Sequence, residues 1–206
     1  MVEVIKDLRS SKAPKPKQFG LILALVMIFS TSAILVLSGK ANAYLSWNQA
    51  CLFNGVNTSY ISVPNSAALN ITGSLTLEAW LNQTSTTASA RGIISKGGTL
   101  GTSLRYGLRL VNGRVIFIIN GGTRLMSKST TFIQPGTWHH VSATFNSGTN
   151  EYGIYINGVL DSSMTSALAL PQSNTDSLFV GISGSTSAFN GKLDEVRVWD
   201  KALSAD

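Results

Sequence analysis

In SLTLEAWLN, residues 74–82, a carboxylate and an indole fall two positions apart, Glu78 and Trp80. Residues two apart on a strand share a face, so an acceptor beside an aromatic plate is available there. Hydrolysis of a glycosidic bond asks for more: two carboxylates on one face, about 5–5.5 Å or about 6.5–9.5 Å apart. No E-x-D-x-E-like alternation supplies that pair. Glu78 has Thr76 and Trp80 as its same-face neighbours, and the adjacency of Asp194 and Glu195 predicts opposite faces. His139 and His140 are adjacent too, which a regular strand separates across the sheet, so they do not chelate one metal ion. No nucleophile elbow, phosphate-binding loop or CxxC pair is present. These residues read as a binding surface and not as an enzyme. Trp138, which follows Pro135-Gly136-Thr137, reads as a structural residue packed near a sheet edge, and His140 as a hydrogen-bonded, partly buried one.

The elements that must position these residues are strands. From Tyr44 onward short segments alternate with period two between clusters of Gly, Asn, Ser and Thr. Strands are expected at 74–82, 104–111, 114–120, 123–128, 138–145, 152–156, 177–183 and 192–199. Asn112-Gly113 suits a tight type I′ hairpin, because both central residues must accept positive φ. Asn157-Gly158 ends another strand. About twelve strands with short turns imply an all-β, two-sheet antiparallel sandwich, not a parallel α/β fold. Leu77, Val141, Phe145 and Ile156 are the expected core. The opposite faces offer Glu78, Trp80, Arg105, Arg109, Tyr155 and Asn157. Exposed rings among polar groups suit a sugar; the alternative is that the same residues form a plain polar outer layer.

The first 43 residues read as an address. A basic stretch precedes the apolar run LILALVMIFSTSAILVLS, residues 21–38, and Ala41-Asn42-Ala43 follows as a small-x-small cleavage pattern. That order is a signal peptide cut before Tyr44; the alternative is an uncleaved N-terminal membrane anchor. The leader carries six basic and two acidic residues, net +4, and the remainder only +2. The folded part therefore lacks the field that nucleic acid binding requires. Cys51 is the single cysteine, so no internal disulfide forms, and it is expected as a small core residue.

The ordered segments SLTLEAWL, RGIISKGG, YGLRL, GTWHHVSATF, YGIYINGV, LFVG and FNGKLDEVRVWDKALSAD together resemble the laminin-G-like jelly-roll family, and more distantly the pentraxins. The resemblance runs from about Leu52 to the last residue. It implies a concanavalin-A-like sandwich and ligand binding, commonly to glycans or extracellular proteins. The family pattern continues past A-L-S where this chain stops at Asp206, so a fragment, a truncated reading frame and a compact member are all compatible.

The resemblance also raises calcium. A pentraxin-type ligand site needs an acidic cluster where this chain has Ile182–Ser187, without a carboxylate. A structural calcium ion is the alternative, with Asp194 at the matching position and oxygens near Asn54 and Gly55, where the family's F-D-G-x-x-D is replaced by Phe53-Asn54-Gly55-Val56-Asn57. Asp194 could instead bond backbone N–H groups or pair with a lysine. The resulting expectation is an exported, non-catalytic module that binds carbohydrate. The alternatives are a protein-binding adhesion module working through loops 83–91 or 183–190, and an appendage of a secreted enzyme.

Overall fold

The computed structural model describes residues 50–98, 104–120, 125–167 and 171–204. The leader at residues 1–43, with its signal or anchor helix, lies outside the described residues.

Fourteen strands are present among the described residues: β1 (Cys51–Asn54), β2 (Ile61–Val63), β3 (Leu75–Gln83), β4 (Arg91–Lys96), β5 (Tyr106–Val111), β6 (Arg114–Ile119), β7 (Leu125–Lys128), β8 (His139–Asn146), β9 (Glu151–Ile156), β10 (Val159–Thr165), β11 (Leu178–Val180), β12 (Ile182–Ser183), β13 (Ser187–Ala188) and β14 (Asn190–Trp199). They form two six-stranded antiparallel sheets, ordered β1-β14-β3-β8-β9-β10 and β2-β11-β4-β5-β6-β7, and one small pair, β12-β13. The all-β, two-sheet expectation is met.

Alternation explains the layering. Along β3, Leu75, Leu77, Ala79 and Leu81 are fully buried, whereas Glu78 is half-buried and Trp80 exposed. Val141 and Phe145 of β8 and Ile156 of β9 join this core, which Tyr106, Leu108, Leu110, Phe117 and Ile119 complete from the second sheet. Tyr152 bridges the sheets, its ring 4.6 Å from Phe145 and 6.0 Å from Phe117. Each such side chain contributes about 1.5–3 kcal/mol by leaving water. The β5–β6 hairpin turns at Asn112 and Gly113 with φ of 51° and 67°, the positive values a type I′ turn needs. Cys51 is half-buried and packs against the core, with its thiol pushed up by burial and then by the nearby Asp194 charge.

The expected single strand over 177–183 is instead two. It breaks at Gly181, whose φ of +84° and close approach to the Phe53 ring leave no room for a side chain. β12 then crosses over β4, where Ser95 Oγ donates to the Ile182 carbonyl at 2.8 Å and Arg91 Nη1 to the Ala188 carbonyl at 2.7 Å. Gly92 is obligatory beneath it, because a Cβ there would meet the backbone of Ile182. At the end of β4, Lys96 is 1% exposed. Its ammonium donates to Asn65 Oδ1, to Asn174 Oδ1 and the Asn174 carbonyl, and to the Asp176 carbonyl. Burial pulls that ammonium below the usual lysine range.

Candidate functional site

The outer face of the first sheet gathers aromatic and charged groups through its register. Trp80 on β3 lies opposite His140 on β8 and Asp194 on β14, and Glu78 lies opposite Ser142 and Arg197. The β3–β14 ladder skips between Asp194 and Arg197, and Glu195 adopts a φ of 46°. One extra residue in a strand reverses the alternation beyond it. Leu193 and Val196 are accordingly both buried, and Asp194 and Glu195 both face outward. The opposite-face expectation for Asp194 and Glu195 is therefore corrected: a β-bulge places the two carboxylates side by side.

Trp138 reaches the same face from the turn before β8. Gly136 N donates to the Gln83 carbonyl at 2.9 Å, and Asn82 Nδ2 donates to the Gly136 carbonyl at 3.2 Å. These two bonds dock the turn on the end of β3. Trp138 is 39% exposed and Trp80 38%. With Asp194 and Glu195 they line an open groove of about 320 Å³. The structural role expected for Trp138 is thus only part of its position.

Glu78 lies two residues from Trp80 on the same face of β3, and its partners tie β3, β8 and β14 together. Trp199 Nε1 donates to Glu78 Oε1 at 2.9 Å, and His140 Nε2 lies 3.2 Å from Oε2. Arg197 spans two carboxylates, with Nη1 at 3.4 Å from Glu78 Oε1 and Nη2 at 3.0 Å from Glu195 Oε2. Burial alone would raise the Glu78 carboxyl. Hydrogen bonds from His140 and Trp199, with the Arg197 charge, hold it below the usual carboxylate range. A general acid asks for a raised carboxyl, and the groups around Glu78 hold it the other way. The His140 ring sits 5.4 Å from that of Trp80 and braces it.

The other expected ligand residues divide between the sheets. Tyr155 is half-buried on β9, in register with Ser142, and so lies one strand beyond the groove. Asn157 closes the β9–β10 turn, its Oδ1 accepting from His140 N at 2.9 Å. Arg105 and Arg109 belong with the second sheet and do not join Glu78 and Trp80. Arg109 is 8% exposed in β5, and Arg105 Nη1 donates to Gln172 Oε1 at 3.1 Å. A shared sense of alternation does not reveal which sheet a strand enters. Trp138 was recoverable from the parity of WHHV, which puts it with His140; the bulge at Glu195 carries no glycine or asparagine to signal it.

The calcium ligands suggested by the resemblance do not converge. Asn54 pairs with Asn190 across the β1–β14 ladder, four residues from Asp194. That offset is about 13 Å along a strand. Asn54 Oδ1 accepts from Val56 N at 3.0 Å, Gly55 N donates to the Phe189 carbonyl at 2.9 Å, and Asp194 Oδ1 accepts from Glu195 N at 2.9 Å. Among the described residues no group of three or more His, Cys, Asp or Glu side chains is arranged to hold a metal ion. Asn54, Gly55 and Asp194 thus do not come together around one calcium ion among the described residues.

The two antiparallel sheets stack as a jelly-roll-type sandwich. The chain belongs to the concanavalin A-like lectin/glucanases superfamily, whose laminin-G-like family model matches residues 54–206. No curated protein matches it in sequence. Among solved structures it is similar to a candidate carbohydrate-binding protein of Bacteroides ovatus, at 24% identity and a TM-score of 0.58 over 71% of this chain and 42% of that one. It is also similar to the binding domain of Paraclostridial mosquitocidal protein 1, at 14% identity and a TM-score of 0.69, covering 84% and 45%. A third is the ligand-binding domain of botulinum neurotoxin serotype D in complex with N-acetylneuraminic acid, at 18% identity and a TM-score of 0.62, covering 84% and 44%. The likeness at these identities is one of fold, and the chain spans less than half the length of each.

Proposed function

We propose that this protein is an exported, non-catalytic module that binds carbohydrate in the groove between Trp80 and Trp138. The observation that carries this reading is the placement of two half-exposed indoles beside two outward carboxylates in one open groove. A pyranose ring has an apolar face for an indole and a rim of hydroxyls for acceptors, and the groove offers both. Asp194 and Glu195 would accept hydroxyl protons in charge-assisted hydrogen bonds. Glu78, His140, Arg197 and Trp199 hold the groove in shape before any ligand arrives. Preorganisation of this kind limits the ordering that binding would otherwise cost.

Membership in a superfamily of lectins and glucanases leaves hydrolysis to be weighed. Arg197 pairs with both Glu78 and Glu195, and the Glu78 carboxyl is held below the usual carboxylate range, which supports binding over acid catalysis there. The names of the similar structures, which mention carbohydrate and ligand binding, support the same reading. Export rests on the basic, apolar and Ala41-Asn42-Ala43 order of the leader.

The test is a glycan array probed with the wild-type protein, Trp80→Ala and Trp138→Ala. Selective glycan capture by wild type, weakened tenfold or more in both variants, supports the reading. Capture unaffected by either variant overturns the groove, and capture of an extracellular protein through loops 83–91 or 183–190 would put an adhesion module in its place.

A further inference from the structure

We infer that the groove is charge-selective: it takes neutral or amino-bearing sugars and turns away those that carry a carboxylate. The inference rests on the sugar-binding reading above and adds the class of sugar.

Among the described residues, the walls of the groove are two indoles and two carboxylates, and no cation lines it. The guanidinium nearest to it is already committed. Arg197 directs Nη1 to Glu78 and Nη2 to Glu195, and its side chain is only 18% exposed. His140 sits beside Trp80 on the neighbouring strand, with its Nε2 3.2 Å from Glu78 Oε2. Lys201 sits over the Trp199 ring, 5.8 Å from its centroid. Lys192 is the preceding outward residue on β14, paired with Asn82, and is exposed, but it forms no wall of the groove. Of the charged groups near the site, those turned into the groove are thus negative.

Sugar hydroxyls can donate hydrogen bonds to the carboxylates of Asp194 and Glu195. A sialic or uronic acid would bring a third carboxylate beside these two without a donor to neutralise it, and like charges juxtaposed in a site oppose binding. An amino sugar gains twice, from the carboxylates and from the electron-rich indole faces. The botulinum serotype D domain in complex with N-acetylneuraminic acid shares the fold, and fold does not fix the charge of a ligand.

The test is an array on which each neutral oligosaccharide is printed beside its sialylated or uronic-acid counterpart, with deacetylated chitin oligosaccharides as the amino series. Calorimetry at two salt concentrations follows for the best binder. Neutral members of matched pairs should bind at least tenfold more tightly than acidic ones, and amino members should weaken as salt rises. The double variant Asp194→Asn, Glu195→Gln should reduce that preference to about twofold or less. If acidic members bind as well as neutral ones, and Trp80→Ala abolishes both, the groove binds sugar and the charge inference fails. It fails equally if the double variant leaves the preference unchanged. If no glycan binds, the sugar-binding reading falls and this inference with it.

Discussion

The indole N–H of Trp199 donates to Glu78 Oε1 at 2.9 Å, tying the end of β14 to the middle of β3. Glu78 is 13% exposed and also meets His140 and Arg197, so its loss strands several polar groups at once. Glu78→Gln preserves the shape and should cost about 1.5–3 kcal/mol at neutral pH, the scale of hydrogen bonds to a charged group. The pH dependence has a definite sign. A carboxyl held low in the folded state contributes stability above its ordinary range and loses it as pH falls through the folded value. Urea titrations at neutral and acidic pH should therefore show a smaller acid-induced loss in Glu78→Gln than in wild type.

The bulge at Glu195 can be separated from the charge at Glu195. Asparagine accepts the left-handed region, so Glu195→Asn should keep the bulge and the fold while weakening sugar binding. A β-branched residue resists that region, and Glu195→Val should cost about 1–3 kcal/mol. Thermal melts of the two variants check this, with Glu195→Asn expected to melt close to wild type.

Lys96 serves as an internal cation that ties β4 to the residues around Asn65, Asn174 and Asp176. Lys96→Met fills the volume but leaves those oxygens without their donor. A loss of about 3 kcal/mol is expected, since each buried unsatisfied group costs about 1–3 kcal/mol. Chemical denaturation reads it directly, and an unchanged midpoint would show that water replaces the ammonium without penalty.

The core carries the ordinary consequence of burial. Phe145 is fully buried against Tyr152, so Phe145→Ala should lose about 3–5 kcal/mol. Differential scanning calorimetry should register a lower melting temperature with the strand content of the circular dichroism spectrum retained.

What could be read in the sequence was what local chemistry decides. Asn112-Gly113 announced a hairpin because few residues tolerate positive φ twice in succession. Leu77, Val141, Phe145 and Ile156 announced a core because alternation assigns faces along a strand. The groove depended on choices made at long range. Arg109 and Trp80 share an alternation sense, but β5 and β3 enter different sheets, and pairing between distant strands settles that. Glu195 sits at positive φ without the glycine or asparagine that usually marks such a position, so the pairing of Asp194 with Glu195 had no local signal. β10 was missed for another reason: its edge position leaves Val159 and Leu160 exposed and blurs any alternation.

The measurement that tests the account most directly is titration of the nitrogen-labelled protein with the neutral oligosaccharide that binds best on the array, followed through the tryptophan indole signals and backbone amides. The account expects the largest shifts at Trp80, Trp138, Asp194 and Glu195, a smaller response at Trp199 through Glu78, and quiet amides around Arg105 and Arg109. Shifts centred on Arg105 and Arg109, or confined to loop 84–90, would contradict it.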